Sequence, residues 1–177
     1  MKKILGFNQF VNENYVNEDG YGDSPFFYAK NGDVSNYFFK VDEGDTQRGF
    51  VISIGKFSKF AQPSEAKQDY SVLSITELPV DAVDQAVVDK GTYETNDNAI
   101  EADERELNKV LDMLAKCVSD YLQKSPKVSK FYDEMQGNLR NTQYTAKMTT
   151  FLDKWPGGQG AWKMQEVEAG KLNYIVK

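Results

Sequence analysis

FFYAKNGDVSNYFFKV, residues 26–41, decides how the fold is read. Two runs rich in aromatic residues, Phe26 to Ala29 and Asn36 to Val41, flank Asn31-Gly32. Asn and Gly reach positive φ at little cost, and a two-residue hairpin turn needs that geometry to match the twist of its strands. The spacing therefore predicts a β-hairpin. Downstream, Glu43-Gly44-Asp45 punctuates a second turn, and Gly49 to Ile54 is β-branched and aromatic enough for a central strand. Tyr70 to Thr76 alternates and stops before Pro79, while Pro63 and its polar neighbours mark a longer loop. The result is an antiparallel meander of about four strands.

The second half reads differently. Residues 79–106 are acidic with weak periodicity, carrying Asp81, Asp84, Asp89 and Glu101 among others against only Lys90 and Arg105. From about Ala102 to Gln123, Leu107, Val110, Leu111, Leu114, Val118, Tyr121 and Leu122 recur at helical spacing. The acidic first turn and Lys124 at the end suit the helix dipole, and Ser125-Pro126 stops the helix. Lys127 to Glu134 admits a capped helix or a short strand entering the sheet, and the strand is preferred. A second main helix is expected over Asn141–Lys154, placing Tyr144, Met148, Phe151, Leu152 and Trp155 inward. After a Pro156–Gly160 loop, Trp162–Val167 and Leu172–Val176 form a terminal hairpin around Ala169-Gly170 that completes the sheet. The class is α+β, with residues 1–24 as an N-terminal amphipathic segment and linker and residues 25–177 as one domain.

Composition narrows the chemistry. A chain of 177 residues buries ~70% of its unfolded surface without disulfide or metal. There is no histidine and one cysteine, Cys117. That removes Ser-His-Asp and Cys-His nucleophiles, His-containing zinc sites and cysteine-ligated clusters within one chain. Carboxylate, Lys and Tyr chemistry remain, with oxygen-ligated Mg or Ca. The net charge of -6 argues against a primary role in coating nucleic acid, whose phosphates are neutralised by Lys and Arg, although a local basic patch is compatible with it. No apolar run approaches the ~18–20 residues of a membrane span, and the Lys2-Lys3-Ile4-Leu5 start lacks a signal-peptide core.

Each candidate motif has a plainer alternative. Gly157–Gly160 lacks the spacing and strand-to-helix context of a phosphate loop and reads as a connection. Asn17–Asp23 offers oxygen ligands, yet the twelfth residue from Asn17 is Tyr28 where a calcium loop needs Glu. The acidic patch of Asp81, Asp84, Asp89 and Glu101 is a candidate docking surface for a basic partner, or else a solvated approach to a helix. Lys124, Lys127 and Lys130 form a small positive cluster able to touch phosphate, or simply a soluble helix end. Cys117 lies near the apolar helix face as a small hydrophobe. Trp155 and Trp162 flank the glycine loop as a ligand wall or as core. No catalytic residue, metal ligand or cofactor site is assigned, and the chain is not expected to be an enzyme.

The opening MKKILGFNQFVNE, residues 1–13, places Ile4, Phe7, Phe10 and Val11 at helical spacing. It resembles the capsid-targeting peptides of internal head proteins in large tailed bacteriophages, which are cut after a hydrophobic-x-Glu triplet. The resemblance implies that Val11-Asn12-Glu13 is the cut site, processed after Glu13, with Val where Leu or Ile is usual. It also implies a partner among phage head components and a location in the virion or host cytoplasm. The remainder resembles phage proteins that share a strand meander, Tyr-x-Thr-Asn before a long helix (Tyr93–Asn96) and a terminal Tyr-x-x-Lys (Tyr174–Lys177). The expected function is a phage-encoded non-enzymatic accessory protein with a protein partner, no nucleic acid and no membrane. The alternatives are a cytoplasmic protein that binds a host factor through its acidic surface, and a divalent-metal carboxylate enzyme.

Overall fold

The computed structural model describes residues 25–56, 70–89, 104–133, 142–168 and 172–177. The hairpin signals set its first half. Strands β1 (Phe27–Asn31), β2 (Val34–Glu43), β3 (Thr46–Gly55) and β4 (Tyr70–Leu78) pair in sequence order, each antiparallel to the last. Gly32 and Gly44 take φ of 59° and 60° at the two tight turns, a conformation that a side chain disfavours. The four-strand meander is as the sequence predicts.

The sheet does not stop there. It has seven strands in the order β1-β2-β3-β4-β5-β7-β6, with β5 spanning Lys130–Asp133, β6 Lys163–Glu168 and β7 Leu172–Val176. The expectation of a wholly antiparallel sheet is corrected, because β5 runs parallel to β4, Tyr70 facing Lys130 and Leu73 facing Asp133. Parallel neighbours cannot be joined by a hairpin and need a long crossover. Residues 79–129 provide it, through helices α1 (Val80–Val88) and α2 (Glu104–Lys124). The terminal hairpin joins the sheet as predicted, with β7 between β5 and β6, and the ambiguous 127–134 stretch contributes the strand Lys130–Asp133. The turn at Ala169-Gly170 lies outside the described residues.

The described helices number three where two were expected. The additional one is α1, which follows Pro79, has no side-chain cap and starts with Asp81 in its first turn. Helix α2 is close to its predicted bounds, and Ser125 N–H bonds back to Tyr121 C=O at 2.8 Å to close it. Helix α3 (Thr142–Phe151) runs into a 3₁₀ turn over Leu152–Lys154. No described helix is long and apolar enough to cross a membrane.

Alternation along each strand divides the core. One face presents Tyr37, Phe39, Phe50, Ile52, Ile54, Leu73, Ile75, Phe131 and Ile175 to Leu107, Val110, Leu111, Leu114 and Val118 of α2 and to Met148, Phe151, Leu152, Trp155 and Trp162. Burial of each large apolar side chain contributes about 1.5–3 kcal/mol. The other face, over β1 to β3 and the end of β4, places Phe27, Ala29, Phe38, Val51 and Leu78 under Val83 and Ala86 of α1. Gly49 lets α1 approach: a Cβ there would lie 2.6 Å from Val83 Cγ2 and 2.8 Å from the Leu78 carbonyl oxygen. A third, smaller group of Tyr70, Val72 and Tyr132 is buried on β4 and β5. Met148, Phe151, Leu152 and Trp155 point inward as expected, whereas the Tyr144 side chain is outside what is described.

Candidate functional site

Two of the four predicted acidic-patch residues, Asp81 and Asp84, ride on α1, and Asp89 is its C-cap, because that helix begins where β4 ends. Asp84 is already committed: Lys40 of β2 places its ammonium 2.7 Å from Asp84 Oδ1, a charge contact outside hydrogen-bond alignment. Asp81 Oδ1 accepts the N–H of Ala82 at 3.0 Å, and Asp89 Oδ2 accepts from Gln85 Nε2 at 2.7 Å. Asp81 and Asp89 are exposed and make no ion pair among the described residues. Glu101 lies outside the described residues, as do the predicted anchors Ile4, Phe7, Phe10 and Val11 and the processing residue Glu13.

The sequence contains other hydrophobic-x-Glu triplets: Val16-Asn17-Glu18 lies outside the described residues, and three more lie in paired strands. Val41-Asp42-Glu43 ends β2, Ile75-Thr76-Glu77 lies in β4 and Met164-Gln165-Glu166 in β6. A protease must draw its target into an extended, unpaired conformation, which a backbone held in a hydrogen-bonded ladder resists.

Two charged clusters join residues far apart in sequence. The first is built on Arg48 near the start of β3. Its guanidinium clasps Glu77 of β4 through Nε to Oε1 at 2.9 Å and Nη2 to Oε2 at 2.7 Å, and reaches Glu106 of α2 through Nη1 to Oε2 at 3.2 Å. Arg48 and Glu106 keep only 13% and 4% of their side-chain surface in solvent. The Arg48 Cζ also sits 5.5 Å from the Phe50 ring centre. The planar fork suits two-point carboxylate recognition, and here it ties the first turns of α2 to the sheet.

The second cluster closes the opposite end of α2. Asp120 Oδ2 accepts from the Tyr37 hydroxyl at 2.8 Å and from Lys124 Nζ at 2.5 Å. Lys124 lies 3.7 Å above the Tyr28 ring, so one ammonium serves a carboxylate and an aromatic face together. Burial, and then the charge of Asp120, push the Tyr37 phenol well above its ordinary value. Burial likewise raises the Cys117 thiol, which is fully enclosed and is not a reactive thiolate. Nearby, the Ser71 and Tyr121 hydroxyls share a hydrogen bond at 2.8 Å.

The glycine loop serves packing. Gly157, Gly158 and Gly160 all take positive φ, and the N–H groups of Gly158 and Ala161 bond to the carbonyls of Trp155 and Gly158. The tight reversal sets Trp155 and Trp162 5.6 Å apart, each packed on Phe131, so both tryptophans are core. Trp162 Nε1 donates to the Pro156 carbonyl at 2.8 Å, whereas the buried Trp155 Nε1 has no acceptor. The Phe131 and Trp162 rings pack on the Trp155 ring, both nearly edge to face.

Among the described residues no group of three or more His, Cys, Asp or Glu is disposed to hold a metal ion. The charged clusters pin α2 to the sheet at its two ends, and neither was visible in sequence because their members lie 29, 58 and 83 residues apart. No family model, curated protein or solved structure matches the chain.

Proposed function

We propose that this chain is a phage-encoded accessory protein that acts by binding a protein partner, its N-terminal segment serving as the address and the α+β body as the cargo. The carrying observation is the opening itself: a Lys-led stretch with Ile4, Phe7, Phe10 and Val11 on one helical face, followed at once by Val11-Asn12-Glu13. An amphipathic helix laid into a groove is a common way to dock, with apolar anchors at such spacing. Three competing triplets lie inside paired strands, which supports a processing point in the N-terminal segment, at Val11-Asn12-Glu13 or at the repeated Val16-Asn17-Glu18. The test is intact-mass analysis of the protein recovered from purified virions. The reading expects a chain that begins directly after one of the two N-terminal triplets, at Asn14 for the first; a chain beginning at Met1, or no protein in the particle, overturns it.

A second reading is favoured by the exposed Asp81 of α1 and its C-cap Asp89, which are free of ion pairs among the described residues. On that reading α1 is the docking surface for a basic host factor. Reversing Asp81 and Asp89 to Lys in a pull-down from host lysate separates the two, since the first reading predicts no change in partner.

A further inference from the structure

Charge is sorted along the strands. Helix α2 runs from the Arg48 end of the sheet, where Glu106 is held, to the end where Tyr37 bonds Asp120. At that end of the sheet lie the carboxylates of Asp42, Asp45 and Glu77 and, on the face covered by α1, those of Asp81 and Asp84, with Arg48, Lys40 and Lys109 among them. At the other end the register gathers lysines from separate elements. Lys30 is next to last in β1, Lys56 directly follows β3, and Lys127 sits in the turn after α2. Lys130 of β5 and Lys163 of β6 both face Val176 of β7, one from each side, and so share the sheet face of Tyr70 and Val72, whereas Lys30, in register with Ser35, Ile54 and Leu73, lies on the α2 face at the far edge. Lys30, Lys56, Lys127 and Lys163 are exposed and make no ion pair among the described residues, and Lys130 is half-buried with contacts of its own. Among the described residues the exposed Asp33, in the β1–β2 turn, and Asp153, which accepts from the Gly160 N–H in the loop leading into β6, are opposing charges, and Asp120 is taken by Lys124.

The helix dipole accounts for Lys124, which lies in the last turn of α2. It does not account for lysines on β1, β5 and β6 or after β3. At ~4.8 Å between strands, the row from β1 to β6 crosses six intervals, roughly 29 Å of twisted sheet end. All five are lysines. Interfaces with proteins favour arginine and deplete lysine, while a mobile point charge is well matched to phosphate oxygens spread along a backbone. We infer that this lysine-bearing end of the sheet docks the phosphate backbone of nucleic acid, without reading its sequence. The chain's overall -6 opposes the approach, so contact is confined to this end and weakens steeply with salt.

The test uses the full chain and a fluorescein-labelled 20-base-pair duplex of mixed sequence, followed by anisotropy from 25 to 200 mM salt. Five phosphate contacts at about -0.9 each give a log–log slope near -4.5, hence an affinity loss of about 500-fold between 50 and 200 mM. K127E/K130E/K163E abolishes binding at 50 mM. Should that variant prove unfolded by circular dichroism, K56A/K127A/K163A on exposed positions decides, with the slope falling to about -1.8. Three results overturn the inference: no binding at 25 mM salt, an unchanged slope in a folded variant, or poly-glutamate competing as well as duplex at equal charge. The last would assign the surface to an acidic protein.

Discussion

Replacing Arg48 by Met tests the physical account of how α2 is held. The substitution keeps much of the aliphatic stem beside Phe50 and removes the guanidinium. Two carboxylates would then face each other, Glu106 almost wholly enclosed and Glu77 with 27% of its side chain in solvent. Deleting one partner of a buried ion pair costs about 3–5 kcal/mol, because the remaining charge stays desolvated. The partial exposure of Glu77 places R48M near the lower figure, about 3 kcal/mol. Glu106→Gln, which keeps the shape and one hydrogen-bonding oxygen, should cost less, about 1–2 kcal/mol. In R48M/E106Q the stranded charge is gone, so the double variant should be more stable than the sum of the two losses by at least ~1 kcal/mol. Urea unfolding followed by circular dichroism reads these differences, and at this chain length 3 kcal/mol corresponds to a melting shift of about 6–12 °C. A loss below ~1 kcal/mol in R48M, or additivity within ~0.5 kcal/mol, would refute the view that Arg48 neutralises an enclosed pair.

The enclosure of Cys117, Tyr37 and Trp155 and the close seat of Gly49 each have a measurable consequence. The buried Cys117 and Tyr37 hold their protons in the folded chain above their ordinary values, while the unfolded chain releases them near ~8.5 and ~10. Their stabilisation is therefore full below about pH 8.5 and declines as pH rises, each group adding up to ~1.4 kcal/mol per pH unit above its unfolded value; Cys117→Val should flatten the first part of an alkaline urea series, and an unchanged profile would show the thiol does not titrate on unfolding. Gly49→Ala drives a methyl into Val83 and the Leu78 carbonyl and should cost about 2–3 kcal/mol, whereas a neutral thermal melt would mean α1 does not rest on β3 as described. Trp155→Ala leaves a void beside Phe131 and Trp162 and should cost about 3–5 kcal/mol by the same melt, with less than ~1 kcal/mol contradicting its place in the core.

What sequence made legible was local. Asn31-Gly32 and Gly44 mark turns by backbone preference alone, and the apolar face of α2 repeats over 21 residues, long enough for its period to emerge. Helix α1 was not legible, because nine residues make only about 2.5 turns, too few for the period of Val80, Val83 and Ala86 to stand out. The parallel pairing of β5 was hidden for another reason: Phe131 and Tyr132 mark a strand but carry nothing about its neighbour, which the crossover determines. The lysine cluster seen as Lys124, Lys127 and Lys130 lies in the middle of a wider set at that end of the sheet, and Lys163 joins it only through the register of β6 on β7. At the candidate site, the sequence showed that α1 would be acidic; it could not show that Lys40 neutralises Asp84 and leaves Asp81 and Asp89.

The insertion of β7 between β5 and β6 has a consequence for synthesis. As the chain leaves the ribosome, β6 emerges before β7, which is its only described sheet neighbour and the one link between it and β5. The first four strands can pair as they appear, since each finds its neighbour already made. Residues 163–168 have no ladder to join until residue 176 is free, and at ~5–20 residues per second that interval is of order a second. During it Phe131, on the inner face of β5, lacks the strand that will flank it. A nascent chain stalled before Leu172 should thus hold a meander and an unfinished sheet, and be the form most in need of a chaperone.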